Sequence, residues 1–543
     1  MLPTTIRKFL FAFALVMAVS LAVFLHFWRI ASAPRGFAVD ECSIAYNAYC
    51  IAQTGADEYG TRWPMYFRGV MDVYYDPAEI YSLLIPIREF GPEKWAARLP
   101  GGLYALLACA AFYLLLRRWR FEAPLALAGG FMLSVIPWAF PASRSCTYTG
   151  RMFALVALVT GLALTASALL EKSRWRAVLA GVVWALAFYA QQSVQPVLML
   201  LAIGCAAALG RRLVPHWRLL RLMLLAGLIV LLPLIVSVLR SPIGLVARFQ
   251  QVSITREASS LREAIARIAR HYCGYFSPQF LFVSGDQERR HHTGHGGELY
   301  WCLAPLILAG LYVSIRHWRQ SLSHRVILVG LLASPVSTAL TLDQEQSTNS
   351  VYAAVFWLML AALGAQWCWQ RRRPWRMLLL MIACAGTVEI TLYMRDYFGA
   401  YQTRDSQALQ TELTDALEYC FGRLSTNQVL YISPSTGSPY GTDVDAKLKP
   451  QLYAYVLFFG RIDPLIYQRT GFPTRNVRLY DGHAAEPGLL LRSSRYYYRS
   501  GDRRTTIVGV PDNIPMPVGA ELVRTFQFSN PYSYIQYQVF VFP

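Results

Sequence analysis

Charge is scarce in this chain, and acid is scarcer than base. Only 15% of the 543 residues are Asp, Glu, Lys or Arg, and 55% are hydrophobic; soluble domains carry roughly 25% charged residues. An ordinary soluble protein is excluded. The 32 acids against 51 bases leave a net charge of +19, a balance that taken alone suits nucleic acid. Position argues otherwise, because much of the excess lies in short stretches between long apolar blocks, so no nucleic-acid partner is expected. The ten cysteines form no C-x-x-C and no zinc spacing, which excludes a thiolate metal centre. Cys42, Cys50, Cys146, Cys273 and Cys420 lie outside the apolar blocks, and their pairing stays open. No Asn-x-Ser/Thr acceptor, internal repeat or low-complexity tract occurs.

What is present is a series of hydrophobic spans. Residues 9–28 are long enough to cross a bilayer, which takes roughly 20 residues. The first 33 residues also resemble a signal peptide ending in Ala31, Ser32 and Ala33. The apolar core outruns the 7–15 residues of such segments, so an uncleaved helix is the better reading. Basic clusters at 117–120, 172–176, 211–221, 316–325 and 371–376 are expected on the cytoplasmic side. With Arg7 and Lys8 also cytoplasmic, crossings are predicted at 9–28, 96–116, 123–140, 152–170, 177–190, 195–210, 219–239, 299–315, 326–342, 350–369 and 377–394. That makes about eleven, with the C-terminus outside. Residues 80–90 are too short to span and read as an interfacial or re-entrant piece. The predicted fold class is a polytopic α-helical membrane protein in the inner (cytoplasmic) membrane. Residues 1–395 form the transmembrane part, with outer loops 29–95 and 240–298. Residues 396–543 form an extracytoplasmic α/β domain, with a helix at 407–420 and strands at 428–433 and 505–510.

The chemistry-bearing residues fall in the outer segments. Asp40 and Glu41 follow the first span by about a dozen residues, which tethers them at the membrane–water interface. A carboxylate there can take a proton from a hydroxyl while a lipid-borne substrate offers its headgroup at the same depth. The same loop holds Asp57, Glu58, Asp72, Tyr74, Tyr75, Asp76 and Glu79. For Asp57 and Glu58 a solvated loop is an equal reading. The second outer loop carries His271, Asp286, Arg289, Arg290, His291, His292, His295 and Glu298. This set suits a divalent metal or a phosphate, or else a basic loop on anionic lipid headgroups. Residues 261–271 read as an amphipathic helix on the bilayer surface. Arg144, in an outer turn, either snorkels to headgroups or holds a lipid phosphate. Asp343 and Glu345 are further candidate acids. Glu389 is the clear charge inside a span; ion pathways place ionisable groups there, and the general lack of them disfavours a transporter.

Taken in order, these segments resemble the GT-C superfamily of polyprenyl-phosphate-sugar glycosyltransferases, in the branch with the lipid A aminoarabinose transferase and the protein O-mannosyltransferases. The carrying residues are Asp40 and Glu41, the stretch 54–60, Tyr74 to Asp76 with Ile80 and Tyr81, and the stretch 91–100. Residues 277–286 with Arg290, His291, Gly297 and Tyr300, and 453–457 with Ile462, Asp463, Pro464, Tyr467 and Gln468, complete the set. The resemblance implies an inverting glycosyltransferase that moves a sugar from a polyprenyl-phosphate donor to a hydroxyl of a lipid, cell-wall polymer or protein. It implies Asp40, with Glu41 beside it, as the catalytic acids. It places Tyr74 against the lipid phosphate, and by location alone Arg144, Arg289 and Arg290 are the expected substrate-binding arginines. Asp76 and His291 would be ligands of a divalent metal of the zinc or manganese class, where one is used at all. Membrane lipids are the other expected partners. Three places depart from the pattern: Pro77 stands where relatives carry a phosphate-binding lysine, Ser145–Gly150 lacks the acid they often carry after Arg144, and Asn349 stands where they commonly carry an arginine. The rival readings are a lipid-linked glycan flippase or transporter and a non-catalytic membrane sensor.

Overall fold

A computed structural model of the protein describes residues 4–70, 73–240, 253–342, 345–424, 428–432, 452–470, 477–479, 488–498, 507–510, 516–529 and 533–542. Asp72, Asp343, residues 241–252 of the second outer loop and the first two residues of the strand expected at 505–510 lie outside the described residues.

In chain order, α1 (Thr4–Phe27) and α2 (Val39–Thr54) are followed by a two-stranded antiparallel hairpin, β1 (Phe67–Arg68) and β2 (Tyr74–Tyr75). Next come α3 (Pro77–Tyr81), α4 (Leu84–Phe90), α5 (Lys94–Arg118), α6 (Ala123–Val135), α7 (Thr149–Glu171), α8 (Arg174–Phe188), α9 (Val194–Leu209) and α10 (Trp217–Arg240). Then follow α11 (Leu261–Gly274), α12 (Ala304–Arg316), α13 (Leu322–Ala333), α14 (Tyr352–Trp369) and α15 (Arg373–Phe398). The tail holds α16 (Thr411–Arg423), β3 (Val429–Ile432), α17 (Leu452–Phe459), α18 (Pro464–Thr470), β4 (Val477–Leu479), β5 (Gly488–Tyr498), β6 (Ile507–Val510), β7 (Glu521–Ser529) and β8 (Ser533–Phe542). The chain divides into two compact units: Met1–Ile30, Asp76–Ser82 and Arg98–Gly399; and Ala31–Tyr75, Leu83–Ala97 and Ala400–Pro543.

The first unit is helical. Every apolar stretch expected to cross contains a helix, and the basic clusters sit where one helix gives way to the next, the one at 211–221 on a 3-10 segment (Gly210–His216) and the first turns of α10. Among the described residues seven helical segments are long and apolar enough to cross a membrane; Val194–Arg240 is one continuous run of 47 residues, and Ala123–Val135 and Trp301–Arg316 are shorter apolar helices. This is a multi-pass membrane protein. Its helices pack through small residues, as lipid-embedded helices do. A Cβ on Gly310 of α12 would fall 1.9 Å from the Leu360 carbonyl oxygen of α14, and one on Gly364 2.0 Å from that of Leu306. The two backbones therefore touch in both directions, and alanine at either site would force them apart.

The second unit is mixed. A six-stranded sheet runs β4-β3-β5-β8-β7, with β6 paired to β5; β3 is parallel to β4 and β5, the other pairs antiparallel. Val429, Tyr431 and Leu490 form its core with Met516, Ala520 and Phe540. The first outer loop belongs to this unit. Gln402 Oε1 accepts the Arg35 N–H at 2.8 Å, Thr414 Oγ1 that of Phe37 at 3.1 Å, and Gln410 Oε1 that of Val39 at 3.1 Å. Tyr46, Cys50 and Leu457 then pack α2 onto α17. The segment at 80–90 is helical, as α3 and α4, and the amphipathic helix runs Leu261–Gly274 with Leu261 and Ile265 exposed.

Candidate functional site

Two polar clusters stand out, one in each unit. In the second unit, Asp40 and Glu41 occupy the first turn of α2, where the helix dipole favours negative charge. The two neighbours then part. Glu41 is buried and turns back, its Oε2 accepting the Ala38 N–H at 3.2 Å; it closes one half of a capping box. With its carboxylate folded onto its own helix start, Glu41 is less well placed than Asp40 to meet a substrate. Asp40 stays half-exposed, and its Oδ1 accepts the Tyr75 hydroxyl at 2.9 Å. Tyr74, on the alternate face of β2, is half-exposed.

In the first unit the cluster centres on Arg151, in the first turn of α7. Its Nε donates to Asn349 Oδ1 at 2.9 Å, and its Nη1 to Glu79 Oε1 at 3.3 Å and to the Thr147 carbonyl at 3.2 Å. The guanidinium also lies 5.1 Å over the Tyr148 ring. Gly150 makes this possible: a Cβ there would fall 2.6 Å from Glu79 Cγ and 2.3 Å from the Ala190 carbonyl oxygen. Beside it Asp76 is 3% exposed; its Oδ2 accepts the Gln192 N–H at 3.1 Å. Burial pushes the Asp76 carboxyl up to about 7, with the Gln192 hydrogen bond and Arg151 pulling it down. Among the described residues three buried oxygens on these segments have no hydrogen-bond partner, Asp76 Oδ1, Thr149 Oγ1 and Thr348 Oγ1, while Tyr352 and Ser193 face each other. Tyr352 is within electrostatic reach of Arg151, Asp76 and Glu79.

The second outer loop folds around its own acids. Asp286 Oδ2 lies 3.0 Å from His291 Nδ1 and accepts from the Ser347 N–H at 2.7 Å and hydroxyl at 3.1 Å. Burial opposes ionisation of Asp286, yet these hydrogen bonds hold its carboxyl below the ordinary range. The His291 ring meets that of Tyr148 edge-on at 5.4 Å. His292 is fully buried, and burial lowers its imidazole to about 4, so it stays neutral. Arg290 Nε donates to Glu288 at 3.2 Å, and Arg289 lies over Gly294. His291 thus has Asp286 as its carboxylate partner. Asp76 offers an open oxygen of the type a metal takes, but among the described residues no three His, Cys, Asp or Glu side chains gather as a ligand set. That falls short of the three protein ligands of an open zinc site.

Arg144, expected at the substrate, is held by backbone. It is 0% exposed, and its guanidinium donates to the carbonyls of Leu25, His26 and Trp28 at 2.6, 2.7 and 2.8 Å. The last turn of α1 has unsatisfied carbonyls, and Arg144 closes them while stacking on Phe398. Its guanidinium caps the end of α1. Arg151 is half-buried beside a buried carboxylate, and an apolar run read as starting at residue 152 leaves it out. The helix begins at Thr149. A charge inside a span is the signal that finds it.

No protein-family model and no curated protein sequence matches the chain. Solved structures do. The crystal structure of ArnT from Cupriavidus metallidurans bound to undecaprenyl phosphate aligns over 92% of this chain and 99% of that one, with TM-score 0.54 and 15% identity. The archaeal oligosaccharyltransferase AglB from Archaeoglobus fulgidus, in complex with an inhibitory peptide and a dolichol-phosphate, aligns over 94% of this chain and 75% of that one, with TM-score 0.51 and 12% identity. The chain has a GT-C fold.

Within this GT-C chain one more buried acid has a measurable consequence. Glu58 is 2% exposed, and its Oε1 accepts from Asn47 at 3.2 Å and from the Tyr453 hydroxyl at 3.3 Å, while Oε2 has no partner. Burial raises its carboxyl from 4.5 to about 8, the two hydrogen bonds opposing. The folded state therefore holds a proton that the unfolded state releases above about pH 4.5, and this contribution to stability falls as pH rises from there through about 8. Glu58→Gln mimics the protonated acid. It should raise the melting temperature above pH 8, by on the order of a few kcal/mol of stability, and leave it unchanged near pH 4. Thermal unfolding of both proteins across pH 4–9 reads this directly; parallel curves would show that Glu58 is ionised in the fold.

Proposed function

We propose that the protein is an inverting glycosyltransferase that moves a sugar from a polyprenyl-phosphate donor to a hydroxyl acceptor at the outer face of the cytoplasmic membrane. The observation that carries this reading is the Arg151 cluster. Burying a polar oxygen without a partner costs about 1–3 kcal/mol, and an apolar helical body that keeps Asp76 Oδ1 open within electrostatic reach of the Arg151 guanidinium is suited to a polar, anionic ligand. A lipid phosphate is such a ligand, with its tail suited to the apolar helix faces around it. Arg151 supplies positive charge where the resembling family's lysine and arginine are replaced by Pro77 and Asn349.

In the reaction, Asp40 takes the proton of the acceptor hydroxyl as its oxygen attacks the anomeric carbon. The bond from that carbon to the phosphate oxygen breaks, and the electron pair leaves with the polyprenyl phosphate. Arg151, in the first unit, is the cation proposed to meet a lipid phosphate. Tyr74, Arg289 and Arg290 stay as candidate contacts to donor or acceptor. Asp76 and His291 stay as candidate metal donors, and no step passes through a metal. The transport reading rested on Glu389, whose Oε2 accepts the Cys302 N–H at 3.1 Å; a carboxylate used as a helix-start cap is poorly suited to a carrier. The basic turns favour a cytoplasmic N-terminus and an extracytoplasmic tail.

The test is a panel of radiolabelled polyprenyl-phosphate sugars incubated with purified protein and membrane extract, and again with right-side-out and inverted vesicles. Label should pass from one donor to an extractable product, in right-side-out vesicles only. Movement of intact donor across the bilayer without transfer would support the flippase reading instead, and transfer in inverted vesicles would reverse the orientation.

A further inference from the structure

The two oxygens of Asp40 are not equivalent. Oδ1 accepts the Tyr75 hydroxyl at 2.9 Å, while Oδ2 has no hydrogen bond among the described residues. Tyr75 is 5% exposed and its place is fixed by the hairpin. It pairs with Phe67 across the two strands, and the turn is closed by Gly69 N–H to the Val73 carbonyl at 2.7 Å and Val73 N–H to that of Val70 at 3.2 Å. Gly69 is required by the ring itself, because a Cβ there would fall 2.0 Å from Tyr75 Cε2. On the far side, Ser43, one turn along α2 from Asp40, faces the same hydroxyl. The phenol is gripped on three sides and has one strong acceptor.

We propose that Tyr75 is the positioning residue of the base: it clamps Asp40 Oδ1, fixes the carboxylate plane, and leaves Oδ2 as the atom that takes the acceptor proton. This rests on Asp40 being the base. In the step the acceptor O–H bond breaks and its proton goes to Oδ2. The oxygen–anomeric carbon bond forms, and the carbon–phosphate oxygen bond breaks with its electrons on the phosphate. Tyr75 gains and loses nothing; burial, and then the Asp40 charge, hold its hydroxyl well above the ordinary tyrosine range, so it is a permanent donor. A half-exposed carboxylate without such a clamp samples several rotamers, and orientation is where much of the rate of a bound reaction resides.

Tyr75→Phe keeps the ring and removes only the clamp. With the donor found active in the panel, kcat should fall about 10- to 100-fold, the worth of one hydrogen bond to a charged group. Donor KM should stay within about twofold, because ground-state binding does not use this contact. Gly69→Ala, which pushes the ring off its seat without touching the hydroxyl, should give the same split of kcat from KM. Melting temperature and membrane abundance are measured for each, with Asp40→Asn alongside. Inactive Asp40→Asn with a wild-type kcat in Tyr75→Phe would overturn the clamp and leave the base. So would a fall in kcat that tracks loss of folded protein, since Tyr75 would then be a packing residue. Wild-type turnover in Asp40→Asn, or a wild-type protein inactive on every donor, would remove the reading beneath both.

Discussion

Asp40→Asn is expected to lower sugar transfer by about 10²–10⁴-fold at equal membrane abundance, the usual contribution of a general base. The change keeps the shape of the side chain and an oxygen for the Tyr75 hydroxyl, and removes the basic lone pair. Folding should be spared, because Asp40 is half-exposed and the start of α2 is tied to the tail by the N–H groups of Phe37 and Val39, which donate to Thr414 and Gln410, and not by the Asp40 carboxylate. Glu41→Gln should behave in the opposite way. An amide oxygen can still accept the Ala38 N–H, so activity should remain near wild type, whereas Glu41→Ala should cost stability of about 1 kcal/mol, as lost caps do. Transfer assays and thermal unfolding of the three variants decide it. Wild-type rates from Asp40→Asn would take away the base, and a large loss in Glu41→Gln with intact stability would return Glu41 to the chemistry.

The helical body was legible because hydropathy is a local property: each apolar stretch carries its own evidence, and each basic turn sits between two helices. The mixed tail showed itself equally well, since the strand at 429–432 and the helix at 411–423 follow local patterns. What the sequence hides is pairing over distance. That residues 31–75 and 400–543 belong to one unit depends on hydrogen bonds such as Phe37 to Thr414, between positions more than 370 apart. Tyr74 was singled out and Tyr75 was not, because strand register decides which of two adjacent tyrosines turns inward, and a two-residue strand carries no alternation to read. Arg144 and Arg151 look alike in sequence, each a lone arginine near a span end. One meets the open carbonyls of α1 and the other a buried carboxylate and an amide. Only the fold separates the cap from the candidate anion site.

That separation makes Arg151 the site of the second large effect. Arg151→Gln alone would leave Glu79, 4% exposed, as a buried carboxylate without its cation, a defect worth about 3–5 kcal/mol; loss of activity would then say little. The informative protein is Glu79→Gln combined with Arg151→Gln, in which the pair becomes two neutral amides of similar volume and the charge balance of the interior is kept. It should fold and reach the membrane as wild type does, because replacing both partners of a buried pair is often neutral. It should nevertheless lose about 10²–10³-fold in kcat/KM for the donor, the scale of removing one preorganised donor to a developing oxyanion. Undecaprenyl phosphate, which raises the melting temperature of the wild-type protein if it binds there, should no longer do so. Arg151→Lys keeps the charge and gives up the planar fork that holds Asn349 and Glu79 together, so an intermediate loss is expected. Glu79→Gln alone is the control: it leaves Arg151 cationic and freer to meet a phosphate, and donor binding should hold or tighten. Undiminished donor KM and an undiminished thermal shift in the double variant would place the lipid phosphate elsewhere, and the open Asp76 Oδ1 would then need another ligand.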